Sequence, residues 1–410
     1  MMSYPDLDIN LTDEQKAMRD MVRRFGAEVM RPIGIELDKL DDPADVIAEG
    51  SPLWDVFRQF RELGLHKRGL PKAVGGMLEE VDPLAGALLA EELGYADAGL
   101  AISLAVASHP FRYAAMSDDP EIQGWARDYC EDTEANMIGC WAITEPDHGS
   151  DWISGPQPDF NDPRCAPSLK AVLKGDEYIL SGQKSAWVSD GTIATHATVH
   201  VNLDPSKGMH GSGICIVPLD LPGITKGKPL NKIGQRPLNQ GEIFFEEVKI
   251  PKKYMIVPDT SNSASILQAI LTGANTGMSL LFGGLAKAAF DEALKYSKER
   301  VQGGVPIFEH QNIKLKLMSM FEQVEAARSL ARRTSAYNAA NPPGSVLHAM
   351  AAKIRSTEAS FMVASEAIQI FGGNGLSKEY PIEKIFRDAK ASMIEDGENS
   401  ALALTGAAFL

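Results

Sequence analysis

The chain changes its hydrophobic period twice, and that order of periods limits its fold more than any other feature. In "LTDEQKAMRDMVRRFGAEVM", residues 11–30, Met18, Val22, Phe25 and Val29 recur at helical spacing. Thr12 and Gln15 ahead of them fit a capping box, in which hydroxyl and amide satisfy orphan N–H groups reciprocally. Segments 53–63 and 83–106 continue the helical pattern. Near residue 139 it gives way to short β-branched and aromatic runs, "ATVHVNL", "GICIVPL" and "GEIFFEEVKI", separated by Gly and Pro. "AVLKGDEYILSGQKSAWVSDGT" sets a Gly-Asp turn between two such runs, a hairpin signal. From about residue 262 the helical period returns in a long Ala- and Gly-rich stretch, apolar on more than one face and so expected to be buried among helices. Segments 310–339, 345–370 and 382–394 add further helices, broken at "NPPG" and "GGNG". The expectation is an α+β chain: an N-terminal all-α domain (1–138), a middle antiparallel β-domain (139–258) and a C-terminal four-helix bundle (259–410).

Composition narrows the function. A formal net charge of −15 argues against nucleic-acid binding, which needs a basic face to displace counterions. The four cysteines show no metal-type spacing and suit a reducing compartment, and the eight histidines form no metal constellation, so no metal is predicted. No uninterrupted apolar run reaches bilayer length, so no membrane span is predicted. The start "MMSYPDLDINLTDEQ" is polar and acidic, unlike a secretory signal. The expected compartment is the cytoplasm.

Four stretches are candidates for chemistry. "CWAITEPDHGSD", 140–151, could present donors and acceptors on a loop, or be a Pro-Gly turn with His148 positioning its neighbours. "SAWVSDG", 186–192, sets Trp187 and Ser189 two apart, on one face of a strand. That pairing suits a flat heterocycle, and it also suits a core tryptophan. The glycines of "QIFGGNGLSKEYPIEKIFRDAK", 369–390, allow a close ligand approach or simply end a helix, and no strand precedes them as a dinucleotide fingerprint requires. "SMIEDGENSAL", 392–402, gathers Glu395, Asp396 and Glu398 around Gly397. It reads as a solvated acidic turn or as a carboxylate held at a reaction centre.

Together these stretches resemble the acyl-CoA dehydrogenase family over about residues 10–408. The matches are "LTDEQ", "ITEPDHGSD", "WVSDG", "EHQ" at 309–311 and "GGNGLSKEYPIEKIFRDAK", in order over the helix–β–helix outline. The resemblance implies one FAD per subunit in a homo-oligomer, a dimer of dimers, with an acyl-CoA substrate and electrons leaving to an electron-transferring flavoprotein. By position it assigns Trp141, Thr144 and Ser150 to the flavin and the acyl-CoA, Trp187 to packing on the flavin, and the Ser189 hydroxyl to its N5. Arg300, Gln311, Gln369 and Gly373 match residues that reach the FAD of a neighbouring subunit, where a guanidinium fork suits a pyrophosphate. In that family a carboxylate takes a proton from Cα of the thioester while hydride passes to the flavin, and the resemblance implies the same step here.

The acidic turn departs from the family segment, aromatic-Glu-Gly-Thr. Aligned on Gly397, Asp396 stands where the catalytic glutamate is expected and Glu398 replaces the hydroxyl, near the flavin. Aspartate is shorter by one methylene, about 1.5 Å of reach, and misplacement of about 1 Å can cost on the order of 100-fold in rate. Some members carry the base on the helix before Arg300, but that position is Ala274 here, and its neighbour, often arginine, is Asn275. The expectation is therefore Asp396 as catalytic base, with Ser150, Asn275 and Gly397 at the substrate and a bulky or cyclic acyl group. Alternatives are an atypical reaction on the same scaffold (1,4-elimination, a lyase or O₂-using chemistry, with another acid such as Asp97) and a non-catalytic subunit of a hetero-oligomer.

Overall fold

The computed structural model describes residues 4, 6, 7, 10–80, 82–155, 158–258 and 263–410. Its first block is helical: α1 (Asp13–Phe25), α2 (Arg31–Asp38), α3 (Pro43–Val46), α4 (Leu53–Glu62), α5 (Pro83–Ala96), α6 (Ala98–Val106), α7 (His109–Ala114) and α8 (Pro120–Glu131). The Thr12–Gln15 capping box closes in both directions at the start of α1. The stretch 83–106, one helical pattern in sequence, breaks at Asp97. Its backbone is extended, and its carboxylate caps α6 by accepting the Leu100 N–H at 3.0 Å.

Strands follow: β1 (Gly139–Ala142), β2 (Lys170–Lys174), β3 (Glu177–Ser189), β4 (His196–Asn202), β5 (Ser212–Pro218), β6 (Ile224–Lys226), β7 (Gln240–Pro251) and β8 (Met255–Val257). They form one sheet in the order β6-β7-β3-β2-β4-β5-β8, with β1 on β4. The hairpin read around Gly175 and Asp176 joins β2 to β3, and Gly175 takes a left-handed φ of 62° at the turn. One feature corrects the antiparallel expectation. β1 enters from the helical block and pairs parallel with β4, Trp141 opposite Thr198, as does the single β2–β4 pair. The connection between β1 and β4 is long enough for a parallel crossover, which no hairpin could supply.

The last block comprises α9 (Ser263–Glu299), the short hairpin β9 (Val301–Gln302) and β10 (Val305–Pro306), α10 (Gln311–Ala340), α11 (Val346–Phe371), α12 (Ile382–Ser392) and α13 (Asn399–Ala407). α11 packs on α9, α10 and α12, and short α13 lies on α11. Residues Ser265–Glu299 are long and apolar enough to cross a membrane by composition, which the run-length reading of the sequence missed. Their most apolar window is 72% buried within the fold, as befits a core helix.

Both helical blocks share one hydrophobic core, in which Val22, Phe57 and Leu93 meet Phe282, Val363 and Ile370. Their closest approach is between α5 and α9. A Cβ at Gly94 would stand 2.0 Å from the Leu281 carbonyl oxygen, and one at Gly284 would stand 2.0 Å from that of Glu91. Only glycine lets these backbones touch. A second core joins the sheet to α7 and α8 through Phe111, Tyr129, Val199 and Phe245.

Candidate functional site

The acidic turn is a rigid reversal between α12 and α13. Asp396 (φ 50°) and Gly397 (φ 95°) are both left-handed, a conformation that Asp tolerates and Gly favours. A Cβ at Gly397 would meet Ile153 at 2.8 Å and Leu402 at 2.9 Å, so space as well as φ demands glycine. The reversal is held on three sides. The Asn399 N–H reaches the Met393 carbonyl at 3.1 Å, and the Glu398 N–H donates to Ser150 Oγ at 3.0 Å. From α11, buried Lys353 donates to the Gly397 carbonyl at 2.8 Å and to Asn399 Oδ1 at 3.0 Å.

The three carboxylates of the turn have different fates. Glu398 caps α13, accepting the Ser400 N–H at 2.9 Å and the Ala401 N–H at 3.0 Å. Those amides hold its carboxyl below the usual range. The expectation that Glu398 serves the flavin meets a side chain already engaged at a helix terminus. Glu395 accepts from Gln235 Nε2 at 2.6 Å. Asp396 alone has no hydrogen-bond partner on its carboxylate among the described residues. The backbone N–H groups of Asp396 and Gly397 likewise find no acceptor among them.

Burial raises the proton affinity of this corner. Desolvation pushes the Asp396 carboxyl above its ordinary value, against the opposing charge of Lys353. Desolvation, with Asp396 adding to it, pushes Glu395 up to about 7, against Gln235, Lys353 and Lys232. The same burial brings Lys353 down to about 8 despite its three acidic neighbours. All three carboxylates are partly exposed, and it is at Glu395 and Asp396, not at Glu398, that desolvation departs from a solvated turn.

A second array lies on the β-domain. Along β3, Val188 is buried while Trp187 is 56% exposed and Ser189 partly exposed on the opposite face. Gln240, the β7 partner of Ser189, donates from Nε2 to Ser189 Oγ at 3.1 Å and to the Trp187 carbonyl at 3.3 Å. Its Oε1 accepts from Lys232 Nζ at 2.8 Å, and Lys232 also donates to the Leu238 carbonyl at 2.7 Å. Asp190, next in the chain and fully buried, accepts from Ser103 at 2.7 Å and Asn239 at 3.2 Å. Its Oδ2 has no partner, and burial raises its carboxyl well above the usual range.

The loop after β1 is braced from within. Glu145 and Lys184, both buried, pair at 2.7 Å, and His148 meets Asp151 at 2.6 Å. Ser150 reaches the acidic turn. The Thr144 carbonyl accepts from Ser185 at 2.8 Å. Trp141 donates from its indole to His200 at 3.0 Å and stacks on His109, so its ring is engaged with protein partners.

Asn275 is buried in α9. Its Nδ2 donates to the Leu271 carbonyl at 3.1 Å, and its Oδ1 lacks a partner. Leu271, one turn away, packs with Ile153, Met350 and Leu402 in the cluster under Gly397. Arg300, Gln311, Gln369 and Gly373 gather at one end of the bundle, where Tyr296 stacks on Phe371 at 4.0 Å. Arg300, Gln311 and Gly373 are exposed there. Asp97, by contrast, is paired with Lys384 at 2.6 Å besides capping α6, which is structural duty.

Sequence reasoning missed Lys232, Gln235, Gln240 and Lys353. Only Lys353 left a signal, a lone cation within the apolar register of "AMAAKI".

A flat heterocycle with acceptor nitrogens fits the β3 face, where a large aromatic stands open beside a hydroxyl with no acceptor for its hydrogen among the described residues. Family comparisons agree in order and extent. Models described as the acyl-CoA dehydrogenase N-terminal, middle and C-terminal domains match residues 12–116, 140–248 and 265–410. Cyclohex-1-ene-1-carbonyl-CoA dehydrogenase of Geobacter metallireducens is 30% identical over 404 residues, 98% of this chain and 99% of that one. Butyryl-CoA dehydrogenase of Megasphaera elsdenii superposes with a TM-score of 0.84 at 29% identity, covering 98% and 100% of the two chains. A chain from a structure described as the electron transferring flavoprotein of Acidaminococcus fermentans superposes with a TM-score of 0.83 at 29% identity, covering 98% of each.

Proposed function

This chain belongs to the acyl-CoA dehydrogenase family, FAD-dependent oxidoreductases acting on acyl-CoA, and from that premise we propose that Asp396 is the base that takes a proton from Cα of a CoA thioester. The observation that carries the proposal is the division of labour in the acidic turn. Glu398 caps a helix and Glu395 is held by Gln235, while Asp396 keeps a free carboxylate in a site dry enough to raise its basicity.

The rest of the turn supports the same role. Lys353 fixes the Gly397 carbonyl, and Ser150 fixes the Glu398 N–H, so the base is aimed by both of its flanks. The open N–H groups of Asp396 and Gly397 are donors suited to a thioester carbonyl oxygen, where charge develops as the proton leaves. FAD, when bound, supplies the hydride acceptor. Trp187 and Ser189 would hold its ring system, and Thr144 and Ser150 its edge toward substrate. Buried Asn275 offers its unpaired Oδ1 to the acyl-CoA.

For the substrate we propose an alicyclic acyl-CoA. A shorter base requires Cα to sit closer to the turn, and the Geobacter relative is named for a cyclohexene-carbonyl thioester. We further propose a homo-oligomer of the dimer-of-dimers kind. Leu315, Met318 and Tyr337 on α10 and Met362 on α11 are all about half exposed or more, as an interface with a second copy would have them. Arg300, Gln311, Gln369 and Gly373 would then serve the FAD of the neighbouring copy. Electrons would pass to an electron-transferring flavoprotein, and the enzyme would work in the cytoplasm.

Anaerobic titration of the FAD-loaded protein with alicyclic, aliphatic, aryl-substituted and dicarboxylic acyl-CoA thioesters tests the reading, with Asp396→Asn beside it. Bleaching by one class that the substitution abolishes is expected. Equal bleaching by the variant would place the base elsewhere.

A further inference from the structure

The hydrogen bonds behind the β3 face run in one direction, and a single side chain sets that direction. An ammonium group can only donate. Lys232 Nζ, 2.8 Å from Gln240, therefore requires that Gln240 turn its carbonyl oxygen toward the lysine. The Gln240 NH₂ must then face the other way, and both of its hydrogens are engaged, one on Ser189 Oγ at 3.1 Å and one on the Trp187 carbonyl at 3.3 Å. Ser189 Oγ accepts in that bond, so its only hydrogen is left to point away from Gln240. No described residue receives it. A side-chain amide by itself fits such a site in either orientation, and a serine hydroxyl can donate or accept. Here neither is free to choose.

We propose that Lys232, acting through Gln240, holds the Ser189 hydroxyl as an obligate hydrogen-bond donor toward an acceptor atom of the flavin. Lys232 and Gln240 are then positioning residues for cofactor binding, although neither touches the cofactor. The proposal rests on the reading that FAD lies against Trp187 and Ser189. Placement favours the relay. Gln240 is buried and opposes Ser189 directly in the β3–β7 register. Lys232 is fixed by a second acceptor, the Leu238 carbonyl, within the same loop. No described carboxylate lies within ion-pair distance of Lys232, so its donor strength is not diverted from Gln240. Burial lowers its proton affinity to about 8, and the charges facing it are Glu395, Asp388, Asp190 and Arg236.

Titrating apoprotein with FAD, with absorbance and tryptophan emission as readouts, tests the relay. Gln240→Glu has the same shape but can only accept, so the Ser189 hydrogen would turn back toward it. The expected result is about tenfold weaker FAD binding, the loss of roughly one hydrogen bond, and a shift of the bound flavin's visible band matching that of Ser189→Ala. The double variant should bind no more weakly than either single one, and Lys232→Arg should behave as wild type. Wild-type affinity and spectrum in Gln240→Glu, with Ser189→Ala weakened, would overturn the relay alone. An unchanged Ser189→Ala would overturn both the relay and the placement of the flavin on this face. Should Gln240→Glu fail to fold, Lys232→Met carries the test, because it frees the Gln240 amide to flip. Several-fold weaker binding supports the relay and wild-type binding overturns it.

Discussion

Gln235 holds Glu395 by its side chain, Nε2 to carboxylate at 2.6 Å, while its own backbone N–H donates to the Asp388 carboxylate of α12. One residue of the β-domain thus braces the acidic turn against the helical bundle, and it does so from a left-handed backbone (φ 49°). The bond separates Glu395 from Asp396 functionally, since it engages the first carboxylate and leaves the second free.

Asp396→Asn should therefore retain FAD and thermal stability while slowing flavin reduction by acyl-CoA on the order of 100-fold or more. Rapid-mixing absorbance under anaerobic conditions reads this directly. Glu395→Gln keeps the Gln235 contact and should slow reduction far less.

Glu395 also makes a pH-dependent contribution to stability. Its folded proton affinity is raised, to about 7, so its contribution is complete at pH values below its unfolded value and is lost as pH rises through 7. Glu395→Gln should melt higher than wild type at pH 8, and the difference should shrink at pH 5. A pH-independent difference would contradict the assignment.

Lys353 opposes the raised proton affinity of both Asp396 and Glu395. Lys353→Met should move the pH profile of flavin reduction toward higher pH, because the base then ionises later. It should also destabilise the fold by about 1–3 kcal/mol, since the Gly397 carbonyl loses its buried donor. A loss of stability with no movement of the profile would make Lys353 a purely structural residue.

The cap on α13 separates two roles for Glu398. Glu398→Ala should cost about 1 kcal/mol of stability, a typical N-cap loss, with FAD affinity unchanged. Weakened FAD binding at unchanged melting temperature would restore Glu398 to the cofactor.

Interface disruption should remove the cofactor along with the assembly. Leu315→Glu with Met318→Glu is expected to give smaller species by light scattering and a lower flavin content per chain. Smaller species that keep full flavin would refute a shared site.

The outline of this chain was open to sequence reasoning because local rules wrote it. The Thr12–Gln15 cap, the Gly175–Asp176 hairpin and the breaks before Ser345 and after Phe371 all rest on neighbours in sequence. The break at Asp97 hid inside a continuous apolar pattern, and the carboxylate that caps α6 there is also held by Lys384, 287 positions away. The site divides in the same way. Asp396 and Ser189 stood in motifs with a spacing that could be read. Gln235 and Lys232 lie in an aperiodic loop and Gln240 is the first residue of β7, and their roles follow from partners on β3 and the acidic turn that only the fold brings near.

The glycine contact between α5 and α9 has a mechanical meaning. Two helices touching backbone to backbone at Gly94 and Gly284 leave no side-chain layer to slide over, so the first and last blocks cannot open as two jaws. Any movement that admits a bulky substrate has to come from elements other than this helix contact. A single methyl group added at either glycine would wedge the two blocks apart before any ligand arrived.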